Sequence, residues 1–291
     1  MTTTLIWFPW RDGCGMGEGA GMGEVRGALD AELLTRGSVR VEEDGPVLRV
    51  VLDRPEARNA QTPSTWQALA AVGEAVRTHG DHLAAVVLSG EGPSFSAGLD
   101  RRMFTPEGIP GEMSILGLAR GDDPELDAAI CAAQAAFTWW REVPAITVAA
   151  VHGHAIGAGF QLALACDLLL AAADAQFAMR ETSYGLVPDL AGTWPLVRAV
   201  GYPRALELCV TGRMIDAEEG YRLGFVTRVT ADLETEVRAL VDAVTGAPPG
   251  AVRDLAPLLR GAQLLTPDEQ RAAERSAQAA RLRSLLAAFG G

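Results

Sequence analysis

The sequence predicts an α/β protein built on a largely parallel sheet, and two observations carry that prediction. Three continuous apolar runs, residues 83–88, 145–151 and 168–171, lack the alternation of a half-exposed strand. Such strands are covered on both faces, as happens when helices cross over between parallel strands. Helix-length segments stand between the runs: one opens at Thr62-Pro63-Ser64-Thr65, and another follows the small-residue turn around Gly157.

Taken in order, residues 12–23 carry glycine at nearly every other position, which costs too much backbone entropy to order alone. Residues 1–36 are therefore expected to form a flexible tail. The alternative, a glycine-rich phosphate loop, lacks a preceding strand and a following helix with a basic residue. From Val39, alternation on both sides of Glu43-Asp44-Gly45-Pro46 predicts a hairpin. A helix from Thr62 through Arg77 turns Trp66, Leu69, Ala70, Val72, Gly73 and Val76 to the core. Residues 106–125, rich in Gly and Pro and carrying Asp122, Asp123 and Glu125, suit a mobile flap. Beyond Pro248-Pro249-Gly250 the chain reads as helical. The expected division is a tail over 1–36, a core over 37–235 and a helical region over 236–291 that packs on the core and on neighbouring subunits.

Composition narrows the chemistry. With 25 basic and 37 acidic residues in 291, the net charge of −12 argues against nucleic acid and anionic membranes as partners. All the basic residues are Arg, so lysine Schiff-base chemistry and the P-loop lysine are excluded. Cys14, Cys131, Cys166 and Cys209 are scattered without C-x-x-C spacing, which suggests neither disulfides nor zinc and fits a reducing cytoplasm. No basic n-region, and no apolar run near the roughly 18 residues of a membrane helix, is visible. His152 and His154 share one side of an extended segment but lack a third ligand, so no metal is expected.

The most informative stretch is His154-Ala155-Ile156-Gly157-Ala158-Gly159-Phe160-Gln161, a turn from an apolar strand into an apolar helix. It leaves backbone N–H groups bare at a helix N-terminus, where an oxyanion can sit. A dinucleotide site would want a third glycine where Leu162 stands. Upstream, Ser94-Phe95-Ser96-Ala97-Gly98-Leu99-Asp100 is a second strand-to-turn segment of small residues. Together with Asp53-Arg54-Pro55-Glu56-Ala57-Arg58-Asn59-Ala60, Cys166-Asp167, Ala175-Gln176-Phe177 and Gly185-Leu186-Val187-Pro188, these segments resemble, in order and spacing, the motifs of the crotonase, or enoyl-CoA hydratase/isomerase, family. The resemblance covers roughly 38–229.

It implies a spiral of ββα repeats with a C-terminal helical region, although no sequence repeat is visible. It further implies an acyl-CoA substrate, a homotrimer or dimer of trimers, and no cofactor beyond the CoA of the substrate. The N–H groups of Leu99 and Ala158 would form the oxyanion hole, Ala158 standing where many relatives have Gly. Arg58, Ala60, Ala97, Gly98, Asp100, Arg102 and Gly157 would bind the substrate and its CoA, and the 106–125 flap would lie near the acyl group.

Hydratases of the family pair two Glu residues, whereas this chain has Gln161 at the first position and Glu181 at the second. A neutral amide can orient a water but cannot take its proton. Asp189 matches an Asp of the dienoyl-CoA isomerases, or else caps a helix over 190–200. Glu181, Asp189 and Gln161 are thus the candidate catalytic residues, and a double-bond isomerase is favoured over a hydratase. The alternatives are an enoyl-CoA hydratase, an acyl-CoA hydrolase or lyase, and a non-catalytic acyl-CoA-binding protein.

Overall fold

The hairpin forms as expected. Strand β1 (Val39–Asp44) pairs antiparallel with β2 (Val47–Leu52), Val39 opposite Leu52. The apolar runs become β3 (Ala85–Gly90), β4 (Ile146–Val151) and β6 (Leu168–Ala172) of one six-stranded sheet, ordered β1-β2-β3-β4-β6-β9 with β9 at Arg228–Thr230. From β2 onward every pairing is parallel. The computed structural model describes residues 23–289, so most of the glycine-rich stretch and its phosphate-loop alternative lie outside them.

Both faces of the sheet are covered, which is why its strands read as unbroken apolar runs. Val86 and Leu88 point into the main core, while their neighbours Ala85 and Val87 face a second cluster with Val148, Ala150, Leu170, Val237 and Val241. The main core packs α3 (Pro63–His79), α5 (Asp123–Thr138) and α6 (Ala158–Ala165) over one face. The other face is covered by α10 (Leu233–Gly246). A second sheet joins β5 (His154–Ile156), β7 (Gln176–Ala178) and β8 (Ile215–Asp216). The chain thus runs β4, β5, α6 and then β6, β7, so the ββα unit that no sequence repeat disclosed is present in space.

Three boundaries differ from expectation. Gly23 to Gly37 is not a free tail: α1 (Glu24–Gly27) and α2 (Ala31–Gly37) pack on the core and bury Val25 completely. The Asp30 carboxylate caps α2 by accepting from Glu32 N–H, and Glu43 accepts from Arg26 N–H at 2.9 Å. These helices are too short for a periodic apolar signal. The expected break at 235/236 falls inside α10, whose Val237 and Val241 belong to the sheet's second core. The acidic patch at the end of the expected flap is a helix start, since Asp122 caps α5 by accepting from Glu125 N–H.

The C-terminal helices α11 (Pro249–Gly261) and α12 (Pro267–Phe289) form as read. Arg260 anchors α11 by donating to Asp167 at 2.6 and 2.9 Å and to the Val143 carbonyl. Arg141 donates to the last carbonyls of α6 at Leu164, Ala165 and Cys166, so Cys166-Asp167 is the end of a helix and an anchor point. Among the described residues no helix is long and apolar enough to cross a membrane.

If α1 is part of the folded core, Val25→Ser is expected to lower stability by about 2 kcal/mol, the worth of burying a valine. A thermal melt should then fall by about 4 °C or more, whereas an unchanged melt would return this segment to the tail.

Candidate active site

The first half of the site is built from the segments 54–61 and 94–100. Arg58 and Asn59 both take left-handed backbone conformations, with φ of 51° and 53°. The buried Asn59 side chain accepts from Arg54 N–H and donates to the carbonyls of Glu91 and Ser94, holding this bend against the strand end. Beneath it, Gln61 donates to Ser96 Oγ at 3.0 Å and accepts from Trp66 Nε1 at 2.8 Å. Ser96 Oγ in turn donates to the Asn59 carbonyl and accepts from Gly98 N–H. The Gln61 backbone bonds Gly98 O and Asp100 N–H on either side of Leu99, whose own N–H has no hydrogen-bond partner among the described residues.

The second half comes from β5 and the start of α6. Ser96 and β5 form a parallel bridge, with Ser96 N–H donating to His154 O and Ile156 N–H to Ser96 O. This brings Gly98, at φ 86°, so close that a Cβ there would lie 2.4 Å from the Ile156 carbonyl oxygen. Gly157 turns the chain into α6 at φ 52° and ψ −117°, a combination open essentially to glycine alone. Ala158 is the first residue of α6, so its backbone is helical and its N–H lacks an intrahelical acceptor. Alanine in place of glycine at this position therefore costs the site nothing.

Beside this turn stands Glu181, at the head of a 3₁₀ turn after β7. A Cβ on Gly157 would meet Glu181 Oε1 at 3.2 Å, so the carboxylate lies against the turn that presents Ala158 N–H. Oε1 accepts from Gln161 Nε2 at 2.6 Å, while Oε2 is buried without a partner. Burial pushes the Glu181 proton affinity up, and the charge of Asp189 adds to it. Asp189 is exposed as a residue, yet the protein around its carboxyl raises its affinity too. It is not a helix cap, because α7 (Thr193–Val200) begins four residues later behind Gly192.

Glu181 and Asp189 line a cavity of about 1220 Å³ together with Leu99, Ala158 and all the expected substrate-binding positions, Arg58, Ala60, Ala97, Gly98, Asp100, Arg102 and Gly157. Gln161 is the one expected site residue off its wall. It is 1% exposed, and its Oε1 accepts from Leu190 and Gly192 N–H. Both ends of the amide are thus engaged within the protein, the NH₂ by Glu181 and the carbonyl oxygen by two backbone N–H groups. Asp100 lines the cavity, but its carboxylate is held by Arg54 and Arg102, which keeps it ionised far below the usual range. That carboxylate fixes two arginines of the lining.

The apolar wall is formed by Leu126, Ala129, Ile130 and Ala133 of α5 with Trp66 and Met103. Phe104 and Tyr184 stack at 5.4 Å between centroids. The expected flap supplies Met113 and Leu118, the latter from the short α4 (Ile115–Leu118). Arg54, Arg58, Arg101, Arg102 and Arg180 add positive charge to the lining. His152 Nε2 donates to Gly92 O and His154 Nδ1 bonds Ser94 Oγ, so the two rings are engaged separately. No group of three potential metal ligands occurs among the described residues. Arg54, Asn59, Gln61 and Ser96 were not singled out from sequence, although each sits in or beside a quoted motif.

Known proteins agree with this geometry. The family model for enoyl-CoA hydratase/isomerase matches residues 42–284. A Mycobacterium bovis protein provisionally named an enoyl-CoA hydratase is 32% identical over 76% of this chain and 80% of its own length. The (E)-benzylidenesuccinyl-CoA hydratase of Thauera aromatica is 31% identical over 74% and 79%. Among solved structures, a Thermobifida fusca protein provisionally named an enoyl-CoA hydratase, in complex with CoA, is 43% identical over 89% of this chain and 98% of its own, with a TM-score of 0.81. The same protein has been solved with acetoacetyl-CoA.

Because only glycine fits at position 98, Gly98→Ala must displace the segment that carries Leu99. Any reaction that places negative charge between the Leu99 and Ala158 N–H groups is expected to slow by about 10²–10³ in kcat, the usual cost of one lost oxyanion donor. Steady-state kinetics on a thioester substrate, with circular dichroism to verify folding, checks this.

Proposed function

Given that the chain belongs to the enoyl-CoA hydratase/isomerase family, we propose that it acts on α,β-unsaturated acyl-CoA thioesters, adding or removing water across the conjugated double bond. The observation that carries this reading is the unpartnered Oε2 of Glu181 beside the turn that presents Ala158 N–H. A proton carrier there adjoins the place where a thioester enolate would be held. The names of the similar proteins support hydration ahead of isomerisation.

In the proposed addition, water gives a proton to Asp189 as its oxygen bonds to Cβ, and the π electrons move onto the thioester oxygen between Leu99 and Ala158 N–H. Those donors stabilise the charge without a change of their own protonation. Protonated Glu181 then delivers a proton to Cα, collapsing the enolate. The raised affinity of Glu181 suits an acid in this step. The cavity arginines Arg58 and Arg102 would attract the CoA phosphates, and no group beyond the CoA of the substrate is required.

A second reading, double-bond isomerisation, is favoured by Gln161, which takes the place of a water-activating carboxylate. Proton removal at one carbon and return at another needs only Glu181, with Asp189 in support. The uncovered Leu255, Leu259 and Leu264 near α11 and Leu282, Leu285 and Leu286 of α12 support a homotrimer or dimer of trimers, which sedimentation at micromolar concentration tests against a monomer. Cytoplasmic residence is inferred only from the scattered cysteines.

Following crotonyl-CoA hydration and 3-enoyl to 2-enoyl conversion in one preparation discriminates the two readings. Glu181→Gln is expected to lower either activity by at least about 10²-fold; activity within a few-fold of the parent would move the chemistry elsewhere. The same variant should be more stable near neutral pH. A carboxyl whose affinity is raised on folding binds its proton more tightly folded than unfolded, so stability is lost as pH rises from the ordinary glutamate range through the folded value. Gln carries no such charge. The gain in melting temperature should therefore shrink toward zero below pH ~4, the ordinary glutamate range.

A further inference from the structure

The proposed steps leave one buried polar side chain with no chemical task. The Gln161 amide joins three parts of the site: Nε2 donates to Glu181 Oε1 at 2.6 Å, and Oε1 accepts from Leu190 N–H at 3.0 Å and Gly192 N–H at 3.3 Å. The two backbone donors flank Ala191, whose φ of 62° is strained for a residue with a Cβ. A Cβ on Gly192 would lie 2.5 Å from Gln161 Cγ, so the turn is pressed onto this side chain. That turn carries Asp189.

We propose that Gln161 is a positioning residue that clamps Glu181 and the Asp189-bearing turn together and keeps Glu181 Oε1 an acceptor, leaving Oε2 as the one oxygen that exchanges protons. The proposal rests on the reading of Glu181 as the proton carrier. Its logic is directional. The carbonyl end of an amide can only accept and its NH₂ end can only donate. Since two backbone N–H groups claim the carbonyl end, the NH₂ end must face Glu181. A protonated Oε1 would oppose that donor, so the proton Glu181 carries is directed to Oε2.

A glutamate at position 161 would still accept from Leu190 and Gly192, but its other oxygen would face Glu181 Oε1 at the distance now spanned by a hydrogen bond. Two carboxylates that close cannot both ionise, so they would share a proton and Glu181 would hold it to higher pH. The other groups bearing on Glu181 are its own backbone and that of Arg180, Asp189, and Cys209 on α8 (Tyr202–Thr211). All of them are unchanged in the variant. A glutamate there is thus expected to impair proton transfer and not to restore a hydratase pair.

Two measurements on the full chain test this, using Gln161→Glu and Gln161→Leu. The first is amide hydrogen exchange over 189–192 at fixed pH. The clamp requires protection of Leu190 and Gly192 in the parent and in Gln161→Glu, and at least about tenfold faster exchange in Gln161→Leu, with the rest of the chain unchanged. The second is the pH profile of kcat/KM with crotonyl-CoA or a 3-enoyl-CoA, whichever the parent turns over, the limb due to Glu181 being the one absent from Glu181→Gln. In Gln161→Glu that limb should move up by about one pH unit or more, and in Gln161→Leu kcat should fall by about 10–100-fold with KM changed little. Exchange unaffected in Gln161→Leu, or a limb unmoved in Gln161→Glu, overturns the proposal. A parent that turns over neither thioester would defeat the functional reading, and the exchange measurement would still decide the clamp.

Discussion

The close approach of two distant segments, 94–100 and β5 with the start of α6, is the constraint on which the proposed site depends, since it would bring the backbone N–H groups of Leu99 and Ala158 to one oxygen. The Ser96 to β5 bridge sets the approach of the two segments, and the contact of Gly98 with the Ile156 carbonyl sets its closeness. Neither segment could hold its donor alone. The bend at Arg58 and Asn59, the Gln61 side chain and the Ser96 hydroxyl are all held by hydrogen bonds within the protein. The N–H groups of Leu99 and Ala158 are without a partner among the described residues. A buried polar network of this kind stays in one arrangement because each member would otherwise be left unpaired.

The same closeness carries a cost at Glu181. A carboxylate against a glycine turn, with one oxygen unpartnered, holds its charge at the expense of folding stability. Asp189 adds repulsion, and the left-handed Ala191 adds backbone strain next to it. Backbone strain beside a buried carboxyl group is a pattern that marks functional sites. Elsewhere the fold is conventional, with the sheet's two faces covered by ordinary apolar packing.

How much of this could be read from the residues depends on which physical signal each part leaves. Strands β3, β4 and β6 were legible because both faces are buried, and an apolar run records that directly. The turns at Gly98 and Gly157 were legible because close backbone approach and positive φ restrict residue types there. Helices α1 and α2 were not, since packing of so short a segment is decided by what it lands on, here β1 and α3. Asp189 was ambiguous for a related reason: an Asp before a helix reads as a cap, and only the observed start at Thr193 separates the two. The residue type of Gln161 was legible, but its partners were not. Residue type says what an amide can bond, but the direction of its two ends is set by Leu190 and Gly192, which are distant in sequence. The preference for isomerase over hydratase rested on Gln161 and Asp189 together, and the names of the similar proteins do not support it.

The central claim is that the Leu99 and Ala158 N–H groups form a site for a thioester oxygen that becomes an enolate. Calorimetric titration with acetoacetyl-CoA and with free CoA tests it most directly, because both carry the same nucleotide and phosphates while only the first offers an enolisable thioester. The account predicts that acetoacetyl-CoA binds more tightly by at least about tenfold, or roughly 1.4 kcal/mol, with the advantage lost in Gly98→Ala. Equal affinity for the two ligands, or an advantage that survives in Gly98→Ala, would contradict it.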